Sequence, residues 1–188
     1  ALATVIVIKT ALGLPRPPEA VRLIPLENDP YGFPSGHAVA AVVVWGGLAT
    51  VRDRLDDARV VTGVALAVAL IALSRVVLGM HYLGDVIVGV ALGLGILAAC
   101  WHFVGERPAR AFALAAAIAA AAVVVTGASE EAILALGGSV GGAVGSRWIE
   151  AVEGLRSRLE GVVLALVGVP YALVLDEVGE AVPPALAA

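Results

Sequence analysis

The chain has 188 residues, 60% of them hydrophobic, and a mean hydropathy of +0.97, well above the roughly 45–50% apolar content of soluble domains. The formal net charge is −4 with no basic tract, which argues against nucleic acid as a partner. One cysteine, Cys100, excludes an internal disulfide and a Cys-based metal site, and its place near a helix end predicts an ordinary buried residue.

A membrane span needs about 20 apolar residues to cross roughly 30 Å of hydrocarbon. Apolar segments run over roughly 1–12, 36–51, 60–78, 82–104, 108–127, 131–146 and 160–178. Backbone groups in lipid must be satisfied internally, and alternating apolar strands are absent. The expected fold is therefore all-α, a polytopic transmembrane helical bundle of six to seven segments. The first begins abruptly at Ala1, with neither an initiator Met nor the basic start of a secretory signal. We read it as the tail of a longer helix.

Lys9 ends that segment, and Pro15, Pro17 and Pro18 stop any helix around Arg16. Alone, Lys9 and Arg16 read as interfacial flanking charges. The loop 18–33 carries Glu19, Glu27, Asp29 and Arg22. It is expected to cover a site, with Arg22 either a solvated charge or a contact for a second phosphate.

The second segment opens with FPSGH. Pro34 suits the first turn of a helix, and Ser35 and Gly36 then offer backbone N–H groups with little steric cover. Such groups bind anions, helped by the helix dipole. His37 sits beside whatever they hold. The plain alternative is a capped helix with an interfacial histidine, and Trp45 farther along reads as packing.

The third segment ends in SRVVLGMHYLGD. Arg75 lies inside an apolar run, where a charge is costly and points to function. His81 and Asp85 stand four apart, which on a helix puts both on one face. Asp85 would accept the Nδ1 hydrogen of His81, leaving Nε2 as a lone-pair donor. The plain alternative is a buried ion pair that pins two helices.

Farther on, Gly89 and Gly93, and again Gly137, Gly141 and Gly145, recur at four-residue spacing, as in close helix packing within a chain or between two copies. Trp101, His102 and Trp148 read as interfacial residues. If the segments alternate, Arg52, Arg54, Arg59, Arg107, Arg110, Arg147, Arg156 and Arg158 share one side, against Lys9, Arg16, Arg22 and Arg75 on the other. Short basic loops stay cytoplasmic, so the polar cluster is expected to face away from the cytoplasm. Asp56 and Asp57 fall on the opposite face, and Glu130 and Glu131 are expected in a distant loop. Without a carboxylate cluster at the site, neither metal nor other cofactor is expected.

Taken together, the motifs read Lys9, six residues, Arg16-Pro17; then Pro34-Ser35-Gly36-His37; then Ser74-Arg75, five residues, His81, three residues, Asp85. This order resembles the three-part signature of the type 2 phosphatidic acid phosphatase and vanadium haloperoxidase superfamily, in its integral-membrane lipid phosphatase branch. The resemblance covers about residues 1–104. It implies a membrane phosphatase core there, with the helices before the Lys motif missing, and additional transmembrane helices of unknown role over 105–188.

The resemblance also implies a mechanism. His81 would attack phosphorus and form a phosphohistidine, Asp85 would orient it, and His37 would serve as acid and then base. Lys9, Arg16, Arg75, Ser35 and the Gly36 amide would bind the phosphate. The substrate would be a lipid phosphate or polyprenyl diphosphate, hydrolysed at the non-cytoplasmic face of the cell membrane. Alternatives are a lipid phosphotransferase, a vanadate-dependent haloperoxidase (disfavoured by the composition), a non-catalytic membrane lipid-binding protein, or a fragment unable to fold alone.

Overall fold

The computed structural model describes residues 1–25, 30–104 and 108–149. The chain divides into two units, Ala1–Arg147 and Trp148–Ala188. Arg107, Arg156, Arg158, Glu27, Asp29, the segment 160–178 and the side chains of Arg147 and Trp148 lie outside the described residues.

The expected all-α bundle is what forms. Helix α1 spans Leu2–Leu12 and ends at Gly13, whose left-handed φ of 56° lets its N–H reach the Lys9 carbonyl at 2.9 Å. The chain then folds back on itself: Pro15 pairs with Tyr31 in an isolated bridge, and Gly32 N–H donates to the Leu14 carbonyl at 2.9 Å. A single 3-10 turn, Glu19–Val21, lies within this loop.

Helix α2, Gly36–Ala41, continues through a π-helical turn, Val42–Gly46, into α3, Gly47–Val51. Helix α4, Ala58–Val77, is capped by Asp57, whose carboxylate accepts from Arg59 N–H at 3.0 Å. Helix α5, Leu83–Ala99, runs into a second π-helical turn, Cys100–Val104. Helix α6, Pro108–Thr126, reverses at Gly127 and Ala128, both with φ 66°, into α7, Glu130–Ile149.

Among the described residues, three helices are long and apolar enough to cross a membrane: Ala58–Val77, Leu83–Val104 and Ala109–Thr126. Only 6% of the α4 window is buried inside the protein, and Leu66, Leu70, Leu73 and Val77 point outward. A helix so apolar and so little covered suits hydrocarbon rather than water.

The core is small-residue packing. Helix α2 packs against both α4 and α5, and Ala38, Ala72 and Val86 form its buried centre, flanked by Val76 and Val90. A Cβ on Gly89 would come within 2.8 Å of the Ser35 carbonyl oxygen, and one on Gly93 within 2.7 Å of Val42 Cβ. The Gly89/Gly93 spacing therefore marks a close helix crossing. The Gly137/Gly141/Gly145 row meets nothing among the described residues, whereas Gly142 lies against Phe112. Cys100, expected buried, is exposed. Trp45 is also partly exposed at 42%.

Candidate active site

Three tight structures bring the motif residues together. The α1 C-terminus and the loop behind it carry Lys9 and Arg16, the α2 N-terminus carries Ser35, Gly36 and His37, and the α4–α5 turn carries Arg75, His81 and Asp85. Lys9, Arg16, Gly36, His37 and His81 line one cavity of about 680 Å³. Ser35, Arg75 and Asp85 stand outside its wall.

His81 is the centre of this arrangement. It is 3% exposed, in the turn before α5 rather than on a helix face as the spacing suggested. Helix α5 begins only at Leu83, and Asp85 sits in its first turn. The pair still meets: His81 Nδ1 lies 3.5 Å from Asp85 Oδ2, with no shorter polar partner. That separation is long for a hydrogen bond, and Asp85 Oδ2 takes its short bond, 2.9 Å, from the Tyr82 N–H. Asp85 therefore caps α5 and flanks the imidazole with one oxygen.

The other ring nitrogen faces Arg16. Arg16 Nη1 lies 3.2 Å from His81 Nε2 and also donates to the Met80 carbonyl at 2.9 Å. A guanidinium has donors only, so Nε2 must present its lone pair and the ring proton belongs on Nδ1, toward Asp85. Burial above all, then the Arg16 charge, holds the His81 imidazole well below the usual histidine range; Asp85 opposes this and Lys9 adds to it. This favours the neutral form of the ring.

The remaining motif residues hold less expected positions. The helix starts at Gly36, with Ser35 as its cap and Pro34 one residue earlier, after a cis peptide bond to Phe33. The Ser35 N–H is not available to an anion, because it donates to the Asp85 carbonyl at 3.0 Å. Its Oγ is wholly buried with no hydrogen-bond partner. His37 is exposed on the cavity wall. Arg75 Nε donates to Ser74 Oγ at 3.2 Å and Nη1 contacts Met80 Sδ at 3.7 Å, while its carbonyl accepts from the Met80 and His81 N–H groups. Arg22 donates to the Pro17 carbonyl at 2.8 Å, which ties the loop down.

Other contributors escaped the sequence reading. Gly32 packs between two site residues: a Cβ there would lie 3.2 Å from Asp85 Oδ2 and 3.3 Å from Arg16 Cα. Gly79, φ +69°, abuts the Val21 carbonyl, and Leu23 N–H donates to the Leu78 carbonyl at 3.1 Å, so the covering loop docks on the His81 turn. Both glycines sit near the motifs, which was the available signal. Tyr31 and Glu131 also line the cavity. Glu131 corrects the expectation of a distant loop: α6 packs along α1 and carries its C-terminal turn to the site.

The sequence model of the PAP2 superfamily matches residues 1–109. Lipid phosphate phosphatase delta of Arabidopsis thaliana is 37% identical over 114 residues, covering 53% of this chain and 27% of that protein. The chain thus spans about a quarter of the length of that curated relative. No solved structure matches the chain.

Proposed function

Since the chain belongs to the PAP2 superfamily, we propose that it is an integral-membrane phosphatase that hydrolyses a lipid phosphate through a phosphohistidine, without metal. The observation that carries this reading is the 3.2 Å approach of Arg16 Nη1 to His81 Nε2 beside a cavity shared with Lys9 and His37. A phosphoryl group entering there meets a neutral nucleophile with cations beside it.

In the proposed reaction His81 Nε2 attacks phosphorus and the bond to the lipid oxygen breaks. His37 gives that oxygen a proton. Asp85 offsets the charge that develops on the His81 ring. Water then attacks the phosphohistidine, His37 takes its proton, the P–N bond breaks and inorganic phosphate leaves. Lys9 and Arg16 hold the non-bridging oxygens, Arg16 with a planar fork and Lys9 as a point charge. Arg75, Ser35 and the Gly36 amide are the further phosphate-site residues of this reading.

The cavity also has an apolar side, Leu2, Val5, Ile6 and Val125, which suits a lipid chain. Residues 1–104 form the catalytic core and the following helices complete the bundle. The arginine bias of the sequence supports a site at the non-cytoplasmic face.

The test is phosphate release from a panel of lipid phosphates in membranes carrying intact protein or His81→Ala, with acid-labile phosphoenzyme trapped from labelled substrate. The intact protein should release phosphate and label on His81, and the variant should lose both. Near-normal turnover in His81→Ala would refute the reading.

A further inference from the structure

Among the described residues of the cavity wall, Glu131 supplies the single carboxylate, in a lining that also holds Lys9, Arg16 and two histidines. It comes from outside the family match, which ends at residue 109. Thr126, Ser129 and Glu131 all reach the cavity from the α6–α7 turn. The turn is internally fixed. Ser129 N–H donates to Thr126 Oγ1 at 3.2 Å, Ser129 Oγ accepts from Ala132 N–H at 3.4 Å, and its carbonyl from Ile133 N–H at 3.0 Å. The neighbouring Ala132 is fully buried, so the helix start that carries Glu131 is anchored.

We propose that Glu131 selects the phosphate ester, admitting lipid monophosphates and disfavouring diphosphates. The inference rests on the phosphatase reading of this cavity. The reacting phosphoryl group must lie at His81, with its charge met by Lys9 and Arg16. A second phosphoryl group brings further negative charge that must sit elsewhere in the cavity. A cavity of about 680 Å³ is on the order of one Debye length across, so salt does not fully screen the Glu131 carboxylate from that group. Like-charge juxtaposition is a common way to reject a wrong ligand. The apolar side of the cavity is the same for both esters, so the discrimination falls on charge at the α6–α7 turn.

Glu131→Gln keeps the side chain's shape and removes the charge. Binding of orthophosphate and pyrophosphate to the full chain in detergent micelles is measured by calorimetry. Phosphate release is followed in parallel from an isoprenoid monophosphate and a diphosphate of the same chain length. The preference for pyrophosphate over orthophosphate should rise about fivefold in the variant, the upper range for one exposed charge pair. The diphosphate-to-monophosphate ratio of kcat/KM should rise with it, and Glu131→Asp should keep the original preference. An unchanged binding ratio, or an equal gain for both anions, would overturn the proposal. Absence of phosphate release from every lipid, with the binding selectivity shifted as expected, would instead refute the phosphatase reading and leave the charge selection standing.

Discussion

Arg16 Nη1 lies 3.2 Å from His81 Nε2, a contact between residues 65 apart in sequence. It fixes which ring nitrogen carries the lone pair, because the guanidinium can only donate. The same Arg16 nitrogen also holds the Met80 carbonyl, so the arginine braces the turn that presents the histidine.

Replacing Arg16 should therefore change both rate and pH dependence. Burial is the larger cause of the depressed His81 pKa, and the Arg16 charge is the next. Arg16→Gln removes only the second, so the His81 pKa rises while staying below the ordinary histidine value. The neutral form, which attacks in the proposed reaction, is then lost at a higher pH, and the acid limb of kcat/KM moves upward. The rate itself should fall about 10²-fold, the usual loss for one donor aimed at developing charge. A pH–rate profile of the two proteins checks both; an unmoved limb would show that the charge does not reach the ring.

Asp85 caps α5 and, in the proposed reaction, supports His81; substitution can separate the two. Asn at this position keeps an oxygen for the Tyr82 N–H, whereas Ala does not. Asp85→Asn should thus retain the thermal midpoint while kcat falls about 10²- to 10⁴-fold. Asp85→Ala should lose a further stability increment of about 1 kcal/mol from the missing cap. Thermal unfolding in detergent beside steady-state kinetics distinguishes the two, and equal stability loss in both variants would argue against the capping role.

Gly79→Ala should be among the most damaging small changes in the chain. The residue is buried at φ +69°, and a Cβ there would strike the Val21 carbonyl. The backbone strain alone costs about 1–3 kcal/mol, and the displaced turn carries Met80 and His81. Gly63→Ala is the natural control, since nothing lies within 4 Å of its Cβ position. In a helix interior that change should stabilise by roughly 0.5–1 kcal/mol. Comparison of thermal midpoints and phosphate release in the two variants checks the contrast.

In the proposed reaction the phosphate charge is met by Lys9 and Arg16, which line the cavity. Hydrolysis should then proceed at the same rate after exhaustive treatment with a chelator such as EDTA. Loss of activity that added magnesium or zinc restores would count heavily against the mechanism.

The membrane helices were readable from the chain because lipid demands long unbroken apolar runs. The segments expected at 60–78, 82–104 and 108–127 correspond to Ala58–Val77, Leu83–Val104 and Pro108–Thr126. The residues that gather at the cavity were readable too, since Lys9, Arg16, Gly36, His37 and His81 stand in compact motifs whose spacing survives folding. What the motifs could not convey is how their backbones interlock. The Ser35 N–H is taken by the Asp85 carbonyl, His81 stands before its helix rather than on it, and Gly32 and Gly79 are held by contacts from other segments. Glu131 carried no local signal at all. Its place on the wall follows from the packing of α6 along α1, a pairing of distant segments that hydropathy does not encode. Apolar burial in lipid is a property of each segment alone, whereas hydrogen-bond partners and close approaches depend on which segments end up side by side.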